Sequence, residues 1–337
     1  MKEKIIHICP SLLMECKGAG GYSKKALKML FDGRGVSDKL PYPRFDENET
    51  IDTFIDNAKR ISLSGVQIKY AAIVDGGMLR MTKPDEQGTF ILKPVPNNLR
   101  NRNFCPANEH LTMQIASQVY GISTPPNGLC FFEDGSPAYF IRRFDTLDGK
   151  KLLKEDFASL GGLTKQHGGS DYKYANLSYE DCAEIIEKYS AVPRVDKLRF
   201  FELLLFNFVF CNGDAHLKNF SLLEDKRGKF RLSPAYDLLN TLIHVDDTIF
   251  ALHKGLFTAP KPEYFGIQST VTGKTFQIFG EKIGLPESIV DNLLNKFTIK
   301  HSQTEKLIEN SFLSEALKKQ YSLMYKSRID SFLSIRP

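Results

Sequence analysis

Residues 211–223, CNGDAHLKNFSLL, most narrow what this chain can fold into. The run that leads into them, VDKLRFFELLLFNFVFCNG at 195–213, is apolar on nearly every side, the pattern of a helix surrounded by core. Phe200 to Phe210 read as that core helix, and Cys211 as a small buried apolar residue. Directly after it stand Asp214, His216, Lys218 and Asn219, and then a short apolar strand. Polar and ionisable groups at the mouth of a buried helix are costly unless they are paired or used. This loop is therefore the first place to look for chemistry.

Asp214 and Asn219 lie five positions apart, the spacing of the Asp and Asn in the catalytic loop of protein kinases. Phosphoryl transfer needs such a pair: a carboxylate in line with the attacking oxygen, and a neutral oxygen ligand that holds Mg²⁺ without another repelling charge. Eighteen residues past Asn219, Asp237 in SPAYDLLNT follows the strand FRLS and suits a second metal ligand. Upstream, Lys93 ends the alternating segment TFILK, and Glu109 opens the next helix 16 residues later. Together they suit a strand-lysine to helix-glutamate bridge that positions ATP phosphates. Each residue alone has a plain structural alternative. Lys93 would be a solvated strand end, Glu109 a charge favoured by the helix dipole, and Asp214 and Asn219 a polar turn. It is the ordered set, each member on the expected element, that carries the reading.

The elements around this set change character along the chain. Residues 61–95 alternate as short strands with an Asp75-Gly76-Gly77 turn, NEHLTMQIASQVYG (108–121) has helical spacing, and LCFFEDGSPAYFIRRFD (129–145) reads as a hairpin about Asp134-Gly135. Beyond about residue 150 helices dominate: SYEDCAEIIEKYS, the apolar run above, PESIVDNLLNKF and the C-terminal SEALKKQYSLMYKSRIDSFL. With 337 residues, 42% apolar and 25% charged, the chain suits one large two-lobed domain or two units, and collagen-like, disordered and disulfide-scaffold classes are excluded. A net charge of +5 demands no nucleic-acid partner. Six scattered cysteines without a CxxC pair fit a reducing compartment. The N-terminal apolar stretch is too short and too interrupted for a signal peptide, and charges or glycines break every other long apolar run, so the expectation is a cytoplasmic protein with no membrane partner. TGKT (272–275) lacks the upstream glycine of a P-loop and reads as a helix start, and GAGG (18–21) lacks the rest of a dinucleotide fingerprint.

SLSGVQIK (62–69), FILKP (90–94), NEH (108–110), FIRRFD (140–145), NGDAHLKNFSLL (212–223) and SPAYDLLNT (233–241) occur in the order and approximate spacing of the HipA-type toxin serine/threonine kinases. The chain resembles that family from about residue 60 to at least 255. The resemblance implies an α+β, bilobed protein-kinase-like fold: a short N-terminal cap over 1–50, a small strand-rich N-lobe over 51–143, and a larger helical C-lobe over 144–337. It implies ATP- and Mg²⁺-dependent phosphorylation of serine or threonine, typically on an aminoacyl-tRNA synthetase, in a bacterial toxin–antitoxin module. By resemblance Asp214 is the catalytic base, Asn219 and Asp237 bind Mg²⁺, and Lys93, backed by Glu109, contacts the ATP phosphates. Ser64, Gly65, Val66, Gln67 and Lys69 form the phosphate loop, and Arg142 to Phe144 the hinge beside adenine. His216 and Lys218 join the nucleotide-binding group, with the alternative that His216 is a buried, hydrogen-bonded structural histidine.

Ser62 and Ser64 resemble the Ser-x-Ser pair of the shorter HipT-like members and are candidates for autophosphorylation; a phosphate there would repel ATP or eject the loop. The other reading makes them turn or phosphate-binding hydroxyls. About 60 residues precede the loop, fewer than in longer members, so the expectation is a chain without the separate N-terminal subdomain, served by an antitoxin, a small companion protein or both. Direct nucleic-acid binding is not required. NGDAHLKN also resembles the catalytic loop of small-molecule phosphotransferases of the aminoglycoside or choline kinase type, and a catalytically silent ATP-binding protein is the reading from a different class.

Overall fold

The computed structural model describes residues 6–18, 20–44, 68–97, 99–147, 149–168, 171–265 and 270–333. Its small lobe is built on a five-stranded antiparallel sheet of β3 (Tyr70–Asp75), β4 (Met78–Met81), β5 (Phe90–Lys93), β6 (Asn127–Phe131) and β7 (Pro137–Arg142), in the order β4-β3-β5-β7-β6. The turn between β3 and β4 has Asp75 paired with Met78, leaving two residues, Gly76 and Gly77, both at positive φ. That left-handed pair matches the right-handed twist of the flanking strands, which is why two glycines stand there.

One face of this sheet is covered by α2 (Cys105–Gln118), whose residues 105–116 are all buried. The sequence places the start of this helix at Glu109; the structure starts it at Cys105, with Pro106 at the first turn, where a proline's fixed φ and missing N–H cost nothing. Glu109 therefore sits one turn inside the helix, within the core. The other face is filled by residues 6–44, which contribute the hairpin β1 (Ile6–Ile8) and β2 (Glu15–Lys17) and the helix α1 (Lys24–Phe31), capped by Ser23. Phe31 stacks on Phe140 with centroids 5.9 Å apart and lies 5.5 Å from Phe90. Residues expected to be a cap thus complete the N-lobe core, and each such buried aromatic contributes roughly 1.5–3 kcal/mol.

A two-stranded ribbon, β8 (Thr146–Leu147) and β9 (Lys150–Lys151), leads into the large lobe. There β10 (Lys154–Asp156), β11 (Ser221–Glu224) and β12 (Phe230–Leu232) make a small antiparallel sheet. It packs with the helices α3 (Tyr179–Tyr189), α4 (Pro193–Val209), α5 (Gly273–Lys282), α6 (Glu287–Thr298), α7 (Ser302–Glu309) and α8 (Glu315–Leu333). α4 lies at the centre, with Phe200, Phe201, Phe206 and Phe208 all buried. TGKT is a helix start, with Thr272 capping α5. All six cysteines are unpaired thiols. Among the described residues no helix is long and apolar enough to cross a membrane. Ser62, Ser64, Gly65, Val66 and Gln67 lie outside the described residues.

Candidate active site

Four of the sequence-predicted residues meet between the lobes. Lys93, the last residue of β5, is 3% exposed and lies opposite Tyr139, its ammonium 5.4 Å from the ring centroid. Its Nζ donates to Glu109 Oε1 on α2 at 2.5 Å and to Asp237 Oδ1 from the large lobe at 2.5 Å. Lys69, just before β3, adds a contact of 3.4 Å to Asp237 Oδ2. Burial lowers the Lys93 pKa, but the flanking Asp237 and Glu109 carboxylates outweigh it and hold the ammonium above the ordinary lysine range. Burial likewise pushes the Asp237 carboxyl up, and Lys69 and Lys93 overcome it, so Asp237 stays ionised far below the usual carboxylate range. Burial raises Glu109.

Asp237 takes a left-handed backbone, φ 57°, which aspartate tolerates better than most residues. Its neighbour Tyr236 ties this turn to the catalytic-loop candidate: the phenol donates to the Lys218 carbonyl at 3.0 Å and lies 3.1 Å from the Ser221 hydroxyl. α2 is fastened to the same segment by Asn108. Its side chain donates to the Asn240 carbonyl (2.8 Å), accepts from the Asn240 amide (3.1 Å) and meets His244 Nε2 (2.9 Å).

The loop 212–219 folds on itself. The Asp214 carbonyl accepts from the His216 amide and from Asn219 Nδ2, both at 2.8 Å, which leaves Asn219 Oδ1 as the acceptor end of that side chain. Gly213 is required here: a Cβ would stand 2.5 Å from Asp247 Cγ and 2.5 Å from the Thr248 carbonyl oxygen. The Asp214 carboxylate accepts from the Tyr174 hydroxyl at 2.8 Å. Burial pushes the Asp214 pKa up, Tyr174 and Lys173 pull it back, and Asp247 and Asp237 add to the rise, leaving it at about 6. A carboxylate poised there is ionised at neutral pH yet basic enough to take a proton.

The remaining predicted residues are placed differently from one another. His216 is 1% exposed, its Nε2 3.0 Å from Lys173 Nζ; burial and then Lys173 drive its pKa down to about 3, so the ring is neutral and accepts from the ammonium. That is the buried, hydrogen-bonded place of the structural alternative. Lys218 pairs with Asp156 at 3.0 Å. Phe144 stacks on Tyr236 at 5.5 Å, with Lys154 over both rings. The Arg142 guanidinium instead joins Asp32 at 3.0 Å, just past α1, and its amide donates to the Pro126 carbonyl at 2.8 Å. Its side chain is thus engaged with the N-terminal segment and not with the Lys93–Asp237 cluster, because α1 fills the sheet face beside β7. Lys173 and Tyr174 carry no signal in the sequence: residues 171–177 have no periodicity, and their partners lie 43 and 40 positions away.

Asn219 offers a neutral oxygen and Asp237 a charged one, hard donors of the kind Mg²⁺ takes when nucleotide phosphates and water complete its shell. Lys69 and Lys93 hold Asp237 ionised.

A five-stranded small lobe joined to a helical large lobe, with a lysine, a glutamate and two aspartates at their junction, defines a protein-kinase-like fold. Residues 61–304 match the HipA-like C-terminal domain, and the chain belongs to that family. It is 27% identical over 92% of its length to a Haemophilus influenzae protein named "Putative kinase", covering 93% of that protein. It is 31% identical over 56% of its length to "Putative kinase Y4mE" of Sinorhizobium fredii, covering 44% of that longer protein. Among solved structures, the Shewanella oneidensis toxin–antitoxin complex of HipA, HipB and operator DNA superposes with a TM-score of 0.60 at 21% identity, over 84% of this chain and 68% of that one.

Proposed function

We propose that this chain is an ATP- and Mg²⁺-dependent serine/threonine protein kinase of the HipA type. The observation that carries this reading is the meeting of Lys93, Glu109 and Asp237 from three separate elements beside the Asp214–Asn219 loop. Lys93, held by Glu109, binds ATP phosphates; Asp237 and Asn219 hold Mg²⁺, which supplies charge neutralisation on the phosphates. Asp214 orients the acceptor hydroxyl. Its oxygen bonds to the terminal phosphorus, its proton passes to Asp214, and the bond to the bridging oxygen breaks with its electron pair leaving on ADP. The aromatic pair Phe144–Tyr236 walls the adenine side.

The finer assignments extend the family resemblance and are proposed with it. The acceptor is a serine of a protein, with an aminoacyl-tRNA synthetase as the target class; Ser62 or Ser64 takes a regulatory phosphate; an antitoxin, a small companion protein of the HipT-like arrangement or both are the partners; and the protein acts in the bacterial cytoplasm. The N-lobe is 51–143 and the C-lobe 144–337, with 1–50 as an N-terminal cap segment.

Incubation of the protein and its Asp214→Asn variant with ATP and Mg²⁺, with and without bacterial lysate, tests this by phosphosite mapping. Phosphate on Ser62 or Ser64 and on one lysate protein, lost in the variant, supports it. ATP consumption driven by small amines or sugars with no protein phosphate would instead establish a small-molecule phosphotransferase.

A further inference from the structure

Lys173 belongs to none of the motifs above, yet it is built into the site. Its carbonyl accepts from the Leu217 amide at 3.1 Å, and the next carbonyl, of Tyr174, accepts from the His253 amide at 3.0 Å. The backbone is thus stitched to the catalytic-loop candidate on one side and to residues 251–256 on the other. The side chain is 9% exposed, its ammonium 3.0 Å from His216 Nε2 and 4.7 Å from the Tyr174 ring centroid. Tyr174 in turn holds the Asp214 carboxylate. Burial lowers the Lys173 pKa, Lys218 and Lys69 add to that, and Asp214 and Asp171 oppose it, so the ammonium stands in the same charge cluster as the proposed base.

His216, inside the loop that carries Asp214, fixes the direction of the Lys173 side chain through its Nε2. Lys218 and Lys69 both act on the Lys173 ammonium, each already paired with a carboxylate, Asp156 and Asp237 respectively. Gathering buried ammonium groups that repel one another is costly, and an arriving polyanion offsets that cost. We infer that Lys173, aimed by His216, is a catalytic residue that binds the non-bridging oxygens of the phosphoryl group in transit, next to Asp214. It makes and breaks no covalent bond; it stabilises charge on the phosphoryl while the acceptor oxygen bonds and ADP leaves. This inference rests on the phosphotransferase reading and extends it.

The first readout uses the unmodified protein. An acyl phosphate of ATP, which acylates amines at its terminal phosphate, is expected with Mg²⁺ to label Lys173, and excess ATP to block the labelling. Labelling confined to Lys69, Lys93 or Lys218 overturns the assignment and leaves phosphotransfer intact; labelling of none of these lysines overturns both. In parallel, Lys173→Met is expected to lower kcat about 100-fold or more while ADP–Mg²⁺ affinity stays within about 2-fold and the extra affinity for a β,γ-imido triphosphate disappears. Lys173→Arg, which keeps the cation, is expected to recover part of both. Unchanged kcat, or equal loss of affinity for diphosphate and triphosphate, overturns it. Because the labelling is read on the native chain, the answer does not hang on whether a variant folds.

Discussion

A carboxyl kept at about pKa 6 is held there at the expense of stability, and Asp214→Asn measures how much. The ordinary value for this carboxyl is 3.8, and burial is the main cause of its rise. A folded-state pKa above the unfolded one means that the native protein binds the proton more tightly. That stabilisation is complete below about pH 4 and is lost as the pH climbs through 6. At about 1.36 kcal/mol for each tenfold change in proton affinity, the rise from 3.8 to about 6 makes an ionised Asp214 cost the fold about 3 kcal/mol at pH 7 and above, and about 1.5 kcal/mol near pH 5. Asparagine keeps the shape and can still accept from Tyr174, but never ionises. The variant is therefore expected to be inactive yet more stable, by about 3 kcal/mol at pH 8 and well under 1 kcal/mol at about pH 4. Urea denaturation of both proteins at about pH 4, 5, 6 and 8 gives the difference directly. A stability gap that does not vary with pH, or a variant less stable than the parent at the alkaline end, would refute the account of Asp214 as a buried, destabilised carboxylate.

Tyr174→Phe keeps the ring and removes the hydrogen bond to Asp214 Oδ1. A bond to an ionised group is worth about 1.5–3 kcal/mol, so the acid limb of the pH–rate profile should move up from near 6 by about one to two pH units. A limb that stays in place would show that Tyr174 does not support the ionised base. Gly213→Ala puts a methyl 2.5 Å from Asp247 Cγ and from a backbone oxygen, so overpacking should cost about 1–3 kcal/mol in urea melts and lower turnover together. Asn108→Leu leaves the buried N–H and C=O of Asn240 without their partner and should destabilise by about 2–4 kcal/mol, read by thermal unfolding. Asp237→Asn should abolish Mg²⁺-dependent nucleotide binding, measured by calorimetry with and without chelator, while retaining the α-helical circular dichroism signal.

What the sequence discloses about this molecule depends on how local the cause is. α4 and the loop after it are legible because a helix with no polar face can only be buried, and a change from Phe and Leu to Asp, His, Lys and Asn within a few residues needs a cause. The β3–β4 turn is legible because two glycines at a hairpin tip supply positive φ. The start of α2 is not, because the periodicity of NEHLTMQIASQ says where the helix runs and not that Pro106 opens it, so Glu109 looks like a helix end although it is core. Nor is the place of Arg142, because FIRRFD says nothing about Asp32, more than a hundred residues earlier, which engages its guanidinium.

The same limit explains Lys173 and Tyr174. Their importance lies wholly in long-range contacts, and a segment with no hydrophobic period carries no mark of which side chain will face a carboxylate brought from elsewhere. The site is thus two layers with different legibility. The outer set, Lys93, Asp214, Asn219 and Asp237, lies at strand ends and turns, where spacing along the chain fixes the reach of each side chain. The inner set of His216, Lys173 and Tyr174 fixes the charge and direction of the first, and it exists only once the loop, residues 171–177 and residues 251–256 have been folded against each other. Changes in the outer set should therefore remove activity outright, whereas changes in the inner set should lower turnover and at the same time shift its pH dependence or its discrimination between di- and triphosphate.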